Sequence, residues 1–296
     1  RTLATCAAED SRVCAITAAM ADGTGLAPFQ REFPERFFDV GIAEGHGAAM
    51  AAGLASQGML PVFAVYSTFL QRSYDMLLHD IALQQLHVVL AVDRAGLVGS
   101  DGETHHGVFD ALFLPTVPGM TVLCPANFAE LRRMLRDALF RIDGRVAVRY
   151  PRGGEGRYRE DSGPDAAVRL RSGADVTLLT YGILTDQALA AAELLERSGV
   201  QAGVVKLNRI APLCYEDLAP VLSGCGFMAA IEDCCGSGCV GQRVSGILAA
   251  RGDAPKRILF MNLGGSFVPA GSVAELEHSL GLDAEGIATA VLQALR

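Results

Sequence analysis

Four short segments concentrate the residue types that proton transfer and anion binding require. The first is Gly41-Ile42-Ala43-Glu44-Gly45-His46-Gly47, where one carboxylate opens an Ala-rich stretch. A Glu there is either a partner for the helix macrodipole or a carboxyl held among apolar neighbours, with a raised pKa and a proton to donate. The second is Tyr66-Ser67-Thr68-Phe69-Leu70-Gln71-Arg72. Ser67 or Thr68 suits an N-cap, and Phe69 suits a core. Arg72 is less expected, because a cation in a first helical turn is disfavoured unless an anion stands beside it. The third segment runs from Asp93 to Gly107 and holds Arg94, Asp101, Glu103, His105 and His106 among glycines. Two adjacent histidines with few carboxylates suit acid–base or hydrogen-bonding work on a small substrate better than a metal. The fourth is Tyr150-Pro151-Arg152-Gly153-Gly154, where Arg152 is either a solvated linker residue or a cation with open access to an anion. Arg72, Arg94 and Arg152 together, in a chain of net charge -8, point to a phosphate or carboxylate site.

Each segment follows a stretch that reads as a strand. Residues 60–66, 87–93, 120–124 and 145–150 are short apolar runs, separated by helical patterns over 68–83 and 127–140. Residues 152–167 are rich in Gly and charge and read as a linker. The rhythm then resumes, with strands over 176–181, 202–207, 227–232 and 257–261 and helices over 185–198, 240–251, 273–280 and 284–295. Buried strands alternating with helices predict an α/β protein of two domains, each a mostly parallel sheet with helices on both faces. The boundaries fall at 1–153, a linker at 154–170, and 171–296. In such sheets a ligand sits beyond the carboxyl ends of the strands, where the four segments lie.

Composition narrows the function classes. With 25 Lys and Arg against 33 Asp and Glu, a nucleic-acid partner is not expected. Half the residues are apolar, which excludes a disordered chain. No apolar run approaches the roughly 18 residues that cross a bilayer, so no membrane partner is expected. The chain begins at Arg1 without a basic-then-apolar leader, which suggests a processed chain or a piece of a longer one, and a cytoplasmic location. Of eight cysteines only Cys234, Cys235 and Cys239 cluster, and all read as reduced core thiols.

The segments at 33–46 (FPERFFDVGIAEGH), 61–84 (PVFAVYSTFLQRSYDMLLHDIALQ), 93–110 (DRAGLVGSDGETHHGVFD) and 150–153 (YPRG) resemble the 1-deoxy-D-xylulose-5-phosphate synthases. These are thiamine-diphosphate enzymes of the transketolase group. The resemblance extends over the whole chain, through LNRIAPL at 207–213 and the Gly-rich stretch near the C-terminus. It implies the pyrimidine-binding and C-terminal domains of that family, with thiamine diphosphate and Mg2+ as cofactors. The GDG diphosphate motif is not in these residues, so the Mg2+ ligands are expected on an N-terminal diphosphate-binding half, in cis or on a separate chain. The complete unit is expected to be a homodimer, and this chain alone to be inactive.

Residue by residue, the resemblance implies that Glu44 hydrogen-bonds the aminopyrimidine ring, Phe69 stacks on it, and Ile42 lies against the cofactor. Tyr66, Asp101 and His105 match substrate-facing catalytic positions. Arg72 and Arg152 match positions that clamp the acceptor phosphate, and Arg94 orders the same loop. The chain departs from the family at Gly45, usually Gln, at Glu103, usually Pro, and at His106, usually Gln. Glu103 is expected to add a negative charge near His105 and oppose an anionic substrate. Two rival readings are a split transketolase-like subunit that uses a ketose donor, and a non-catalytic paralogue.

Overall fold

Twelve strands form two sheets in the computed structural model, which describes residues 1–296 apart from the side chain of Ser100. The first half supplies β1 (Val13–Thr17), β2 (Phe37–Asp39), β3 (Leu60–Tyr66), β4 (Val88–Asp93), β5 (Thr121–Leu123) and β6 (Arg145–Arg149). The second supplies β7 (Ala167–Arg171), β8 (Val176–Tyr181), β9 (Ala202–Leu207), β10 (Arg209–Ala211), β11 (Phe227–Ile231) and β12 (Arg257–Met261). The strand orders are β10-β5-β6-β4-β3-β1-β2 and β12-β11-β8-β9-β7. All pairs are parallel except β10 with β5 and β7 with β9, so the α/β class expected from the sequence is the one observed.

Register explains why the chemical segments meet. Tyr66 pairs with Asp93 across β3 and β4, and Val92 with Arg149 across β4 and β6. The three loops therefore leave the sheet at one height. The helix Glu44–Ser56 is held close over β3 because Gly47 faces the Phe63 ring; a Cβ there would lie 2.7 Å from it. Phe63 is fully buried, and truncating such a ring costs about 3–5 kcal/mol. This packing sets the start of the helix, Glu44, against the end of the strand, Tyr66.

Two expectations need correction. The helix expected over 68–83 is broken into a turn at Ser67–Leu70, a tight 3-10 turn at Gln71–Ser73, a turn at Tyr74–Met76 and a wide π turn at Leu77–Ala82. No side chain caps its start; Thr68 Oγ1 instead donates to the Thr104 carbonyl at 3.1 Å. Apolar spacing places Leu70, Leu77 and Ile81 in the core but does not register such changes of pitch.

The stretch taken as linker is also not a free tether. Strand β7 begins inside it, at Ala167. Ahead of β7, Glu155 accepts a hydrogen bond from the Phe128 amide, and Asp186 accepts from the amides of Arg157 and Tyr158. Arg133 pairs with Asp161 at 2.8 Å. Charges that read as solvated are anchors.

The two domains also share a strand. After β9 the chain returns to the first sheet as β10, with Arg209 opposite Leu123 and Ala211 opposite Val122. Without it the three-residue β5 would be an open edge. One apolar core runs through both halves, joining Val122 and Ala147 to Leu179 and Val205.

Two ionic clusters are sealed at this junction. Arg149, 3% exposed, holds both oxygens of Asp110 at 2.9 Å through Nε and reaches Asp233 of the second half at 2.9 Å through Nη2. Lys206 meets Glu130 at 2.9 Å with both side chains fully buried, and Asn208 and Ser162 complete the set. Burial lowers the Lys206 pKa even against the Glu130 charge. All eight cysteines are free thiols. Among the described residues no helix is long and apolar enough to cross a membrane.

Candidate active site

Glu44 is the first residue of its helix and is only 4% exposed. Asp39 organises the approach to it: its Oδ1 accepts from the Ala19 and Gly41 amides at 2.8 and 3.0 Å, and both residues have left-handed backbones. Asp39 drew no attention in the sequence, although an Asp two residues before a Gly is a turn signal.

Of the two readings of Glu44, isolation among apolar neighbours is not found. Arg72 Nη1 donates to Glu44 Oε1 at 2.7 Å. The anion that Arg72 demanded is thus Glu44 itself. Its guanidinium also lies 4.8 Å from the centre of the Phe69 ring, joining the carboxylate to that aromatic face. Phe69 stacks on Tyr66 at 5.8 Å and meets His105 edge-on at 5.3 Å.

The remaining two arginines converge elsewhere. Arg94 has a left-handed backbone, with φ of 58°, and its guanidinium carbon lies over Tyr66, 3.7 Å from the ring centre. It donates to Asp101 Oδ2 at 3.3 Å, to Asp93 Oδ1 at 3.3 Å and to the Gly23 carbonyl at 3.1 Å. Arg152 Nη1 donates to the other oxygen of Asp101 at 2.6 Å. Burial pushes the Asp101 carboxyl up, but hydrogen bonds and charge from the two arginines outweigh it and hold it below the usual range. Asp93 goes the other way: burial raises it to about 6 despite Arg94. Burial likewise raises the Tyr66 phenol against the pull of Arg94. The structure therefore redistributes the arginines. Arg72, expected at the anion site with the other two, serves Glu44, while Arg94 and Arg152 meet on one carboxylate.

The loop carrying Asp101 and His105 closes at its base through two glycines. Gly96 and Gly107 exchange backbone hydrogen bonds at 2.7 and 2.8 Å. A Cβ on Gly107 would lie 2.2 Å from the Arg94 carbonyl, and one on Gly96 2.0 Å from Asp233. His106 is buried and structural. Its Nδ1 accepts from the Val98 amide, and its Nε2 reaches the Pro269 carbonyl of the second half at 3.2 Å.

A cavity of about 590 Å³ opens beside this cluster, lined by Asp22, Gly23, Asp93, Arg94, Asn127 and Arg152 among others. Glu103 is not on it. It lines a separate 430 Å³ cavity at the domain boundary with Phe109, Cys235 and Phe267. Gly45 faces Met76, whose methyl would lie 3.0 Å from a Cβ. Ile42 is 81% exposed and joins none of these contacts.

The residues fit one end of thiamine diphosphate. An aminopyrimidine needs a carboxyl for its ring nitrogen and an aromatic face. Glu44 Oε2 has no donor among the described residues, and Phe69 offers a half-buried ring beside it. For the metal–diphosphate end, no cluster of three or more His, Cys, Asp or Glu stands ready among the described residues.

A parallel sheet with a buried carboxylate at a helix start and ionic loops at its strand ends, backed by a second α/β unit, is the transketolase architecture. A split-gene transketolase described as an inactive β4 tetramer superposes with a TM-score of 0.81 at 28% identity, covering 99% of this chain and 95% of that one. A transketolase from Pichia stipitis shares the fold at 16% identity, with a TM-score of 0.80 over 99% of this chain and 44% of that one. The family "Transketolase, pyrimidine binding domain" matches residues 1–154 and "Transketolase, C-terminal domain" matches residues 165–287; the chain belongs to this family. Among curated relatives, the proteins called 1-deoxy-D-xylulose-5-phosphate synthase from Chlorobaculum tepidum and Chlorobium luteolum are 47% and 44% identical over 97% and 98% of this chain. The chain spans 46% of the length of each.

Proposed function

We propose that this chain forms the aminopyrimidine side and the acceptor side of a thiamine-diphosphate-dependent 1-deoxy-D-xylulose-5-phosphate synthase. The reaction joins two carbons of pyruvate to the aldehyde of glyceraldehyde 3-phosphate and releases the third as carbon dioxide. The observation that carries this reading is the division of labour among the arginines. One holds the buried Glu44 beside an aromatic face, and two meet on a single carboxylate at the cavity. Names of relatives at 44–47% identity support it.

The cofactor, when bound, supplies a thiazolium ring that takes up the electron pair left by decarboxylation. Glu44 holds a proton against the pyrimidine ring nitrogen, and Arg72 fixes the carboxylate for that task. Phe69 stacks on the pyrimidine. Arg94 and Arg152 bind the acceptor phosphate by charge-assisted hydrogen bonds, sharing or exchanging Asp101. His105, packed on Phe69, moves protons at the substrate oxygens. The diphosphate and its Mg2+ fall to an N-terminal half, in cis or as a partner chain, and the assembled unit is a homodimer.

The test is turnover by the assembled protein, this chain together with that half. Carbon dioxide release from pyruvate that depends on glyceraldehyde 3-phosphate supports the reading. A split-gene transketolase of matching length favours a second reading, a transketolase subunit. Consumption of a ketose phosphate without carbon dioxide release would establish that one instead.

A further inference from the structure

Gly23 lies in the loop after β1, and its backbone does not require glycine: its φ lies outside the left-handed region, unlike that of Gly25 at 69°. What requires glycine is Tyr66. A Cβ on Gly23 would lie 1.7 Å from the Tyr66 hydroxyl oxygen and 2.8 Å from Cζ. A tyrosine tip can usually swing aside, but this ring has little freedom. Phe69 stacks on it, with ring centres 5.8 Å apart, and the Arg94 guanidinium lies 3.7 Å from its centre. The Gly23 carbonyl meanwhile accepts from Arg94 Nη1 at 3.1 Å.

One residue thus sets the ring on which Arg94 lies and supplies one of its acceptors. The left-handed backbone of Arg94 fixes where its side chain starts; Gly23 and Tyr66 fix where it ends. We infer that Gly23 is a positioning residue for recognition of the acceptor's phosphate, acting through Tyr66 and Arg94. The inference rests on the proposed role of Arg94, and it separates recognition of phosphate from the chemistry at Glu44. Glu44 has its own arginine, Arg72, and shares no hydrogen bond with Gly23.

The test uses the assembled protein and two acceptors, glyceraldehyde 3-phosphate and unphosphorylated glyceraldehyde. In Gly23→Ala the displaced ring should cost Arg94 about one charge-assisted hydrogen bond. KM for the phosphorylated acceptor should rise about tenfold, with kcat and KM for glyceraldehyde nearly constant. Equal losses on both acceptors would mean a merely structural role and overturn the inference, as would no change. Gly58→Ala, at φ of 83° and away from the cavity, serves as control: its cost is backbone strain, which lowers the melting temperature and leaves the ratio between acceptors in place.

In a Tyr66→Phe background the first atom struck is gone, so the effect of Gly23→Ala should shrink; strict additivity would overturn the inference even if the single variant folds poorly. Titration with inorganic phosphate supplies a readout independent of turnover. Gly23→Ala should weaken phosphate binding about tenfold. If that holds while the wild type does not turn over glyceraldehyde 3-phosphate, the reaction assignment fails and the role of Gly23 stands. Unchanged phosphate binding removes the role of Gly23 whatever the reaction.

Discussion

Two of this chain's arginine–aspartate clusters, one at the domain junction and one at the cavity, differ in burial, and burial separates their roles. At the domain junction, Arg149 is 3% exposed and divides its donors between Asp110 and Asp233, all sealed from water. At the cavity, Arg152 is 43% exposed at the side chain and shares Asp101 with Arg94. The donor and acceptor types are the same. Sealed, the contact cannot be exchanged without stranding a charge, so it fixes geometry. Open to water, it can exchange for another anion, as the proposed phosphate site requires.

Four measurements sharpen or break that contrast. The largest effect is expected at neither type of pair. Glu44→Ala should lower kcat of the assembled protein about a thousandfold, with little change in melting temperature, because it removes a proton-handling group and not a packing element. Retained turnover would remove Glu44 from the mechanism.

Arg149→Met should cost about 3–5 kcal/mol of stability, read by denaturant unfolding, since two buried carboxylates lose their cation. A loss below about 1 kcal/mol would show that water already reaches the junction, and the contrast would fail.

Asp93 tests the border between the regions, being buried but beside the cavity. Its carboxyl sits near 3.8 when unfolded and about 6 when folded, so the native state holds the extra proton between those values. Stability therefore falls as pH rises through roughly 4 to 6, by up to about 3 kcal/mol. Asp93→Asn should flatten that slope in unfolding curves compared at about pH 4 and pH 7. An unchanged slope would assign it to other carboxyls.

The smallest stability effect is expected at Arg152. Arg152→Met should change unfolding free energy by less than about 1 kcal/mol while raising KM for a phosphorylated acceptor about tenfold. A large stability loss would place Arg152 with Arg149.

How much of this was legible in the sequence depended on range. The six- and seven-residue strands β3, β4, β8 and β9 declare themselves, because burial on both faces leaves a mostly apolar run. The three-residue β10 carries no such signal; its partner lies more than 80 residues back, and Arg209 begins it. The site residues were legible as a set, since Tyr66, Phe69, Arg94, Asp101, His105 and Arg152 do come together. Which arginine serves which acid was not, because Arg72 and Glu44 are 28 positions apart and only tertiary packing joins them. Gly23 was silent for the same reason: its φ needs nothing, and its constraint is a ring 43 positions away.

The return of the chain at β10 also bears on synthesis. Strand β5 joins the sheet only through β6, which ends at Arg149, 60 residues before β10 begins at Arg209. At about 5–20 residues per second, a ribosome leaves that edge exposed for roughly 3 to 12 seconds. For that interval the nascent first sheet presents an unpaired rim to its neighbours, and it is the second half, on emerging, that shields it.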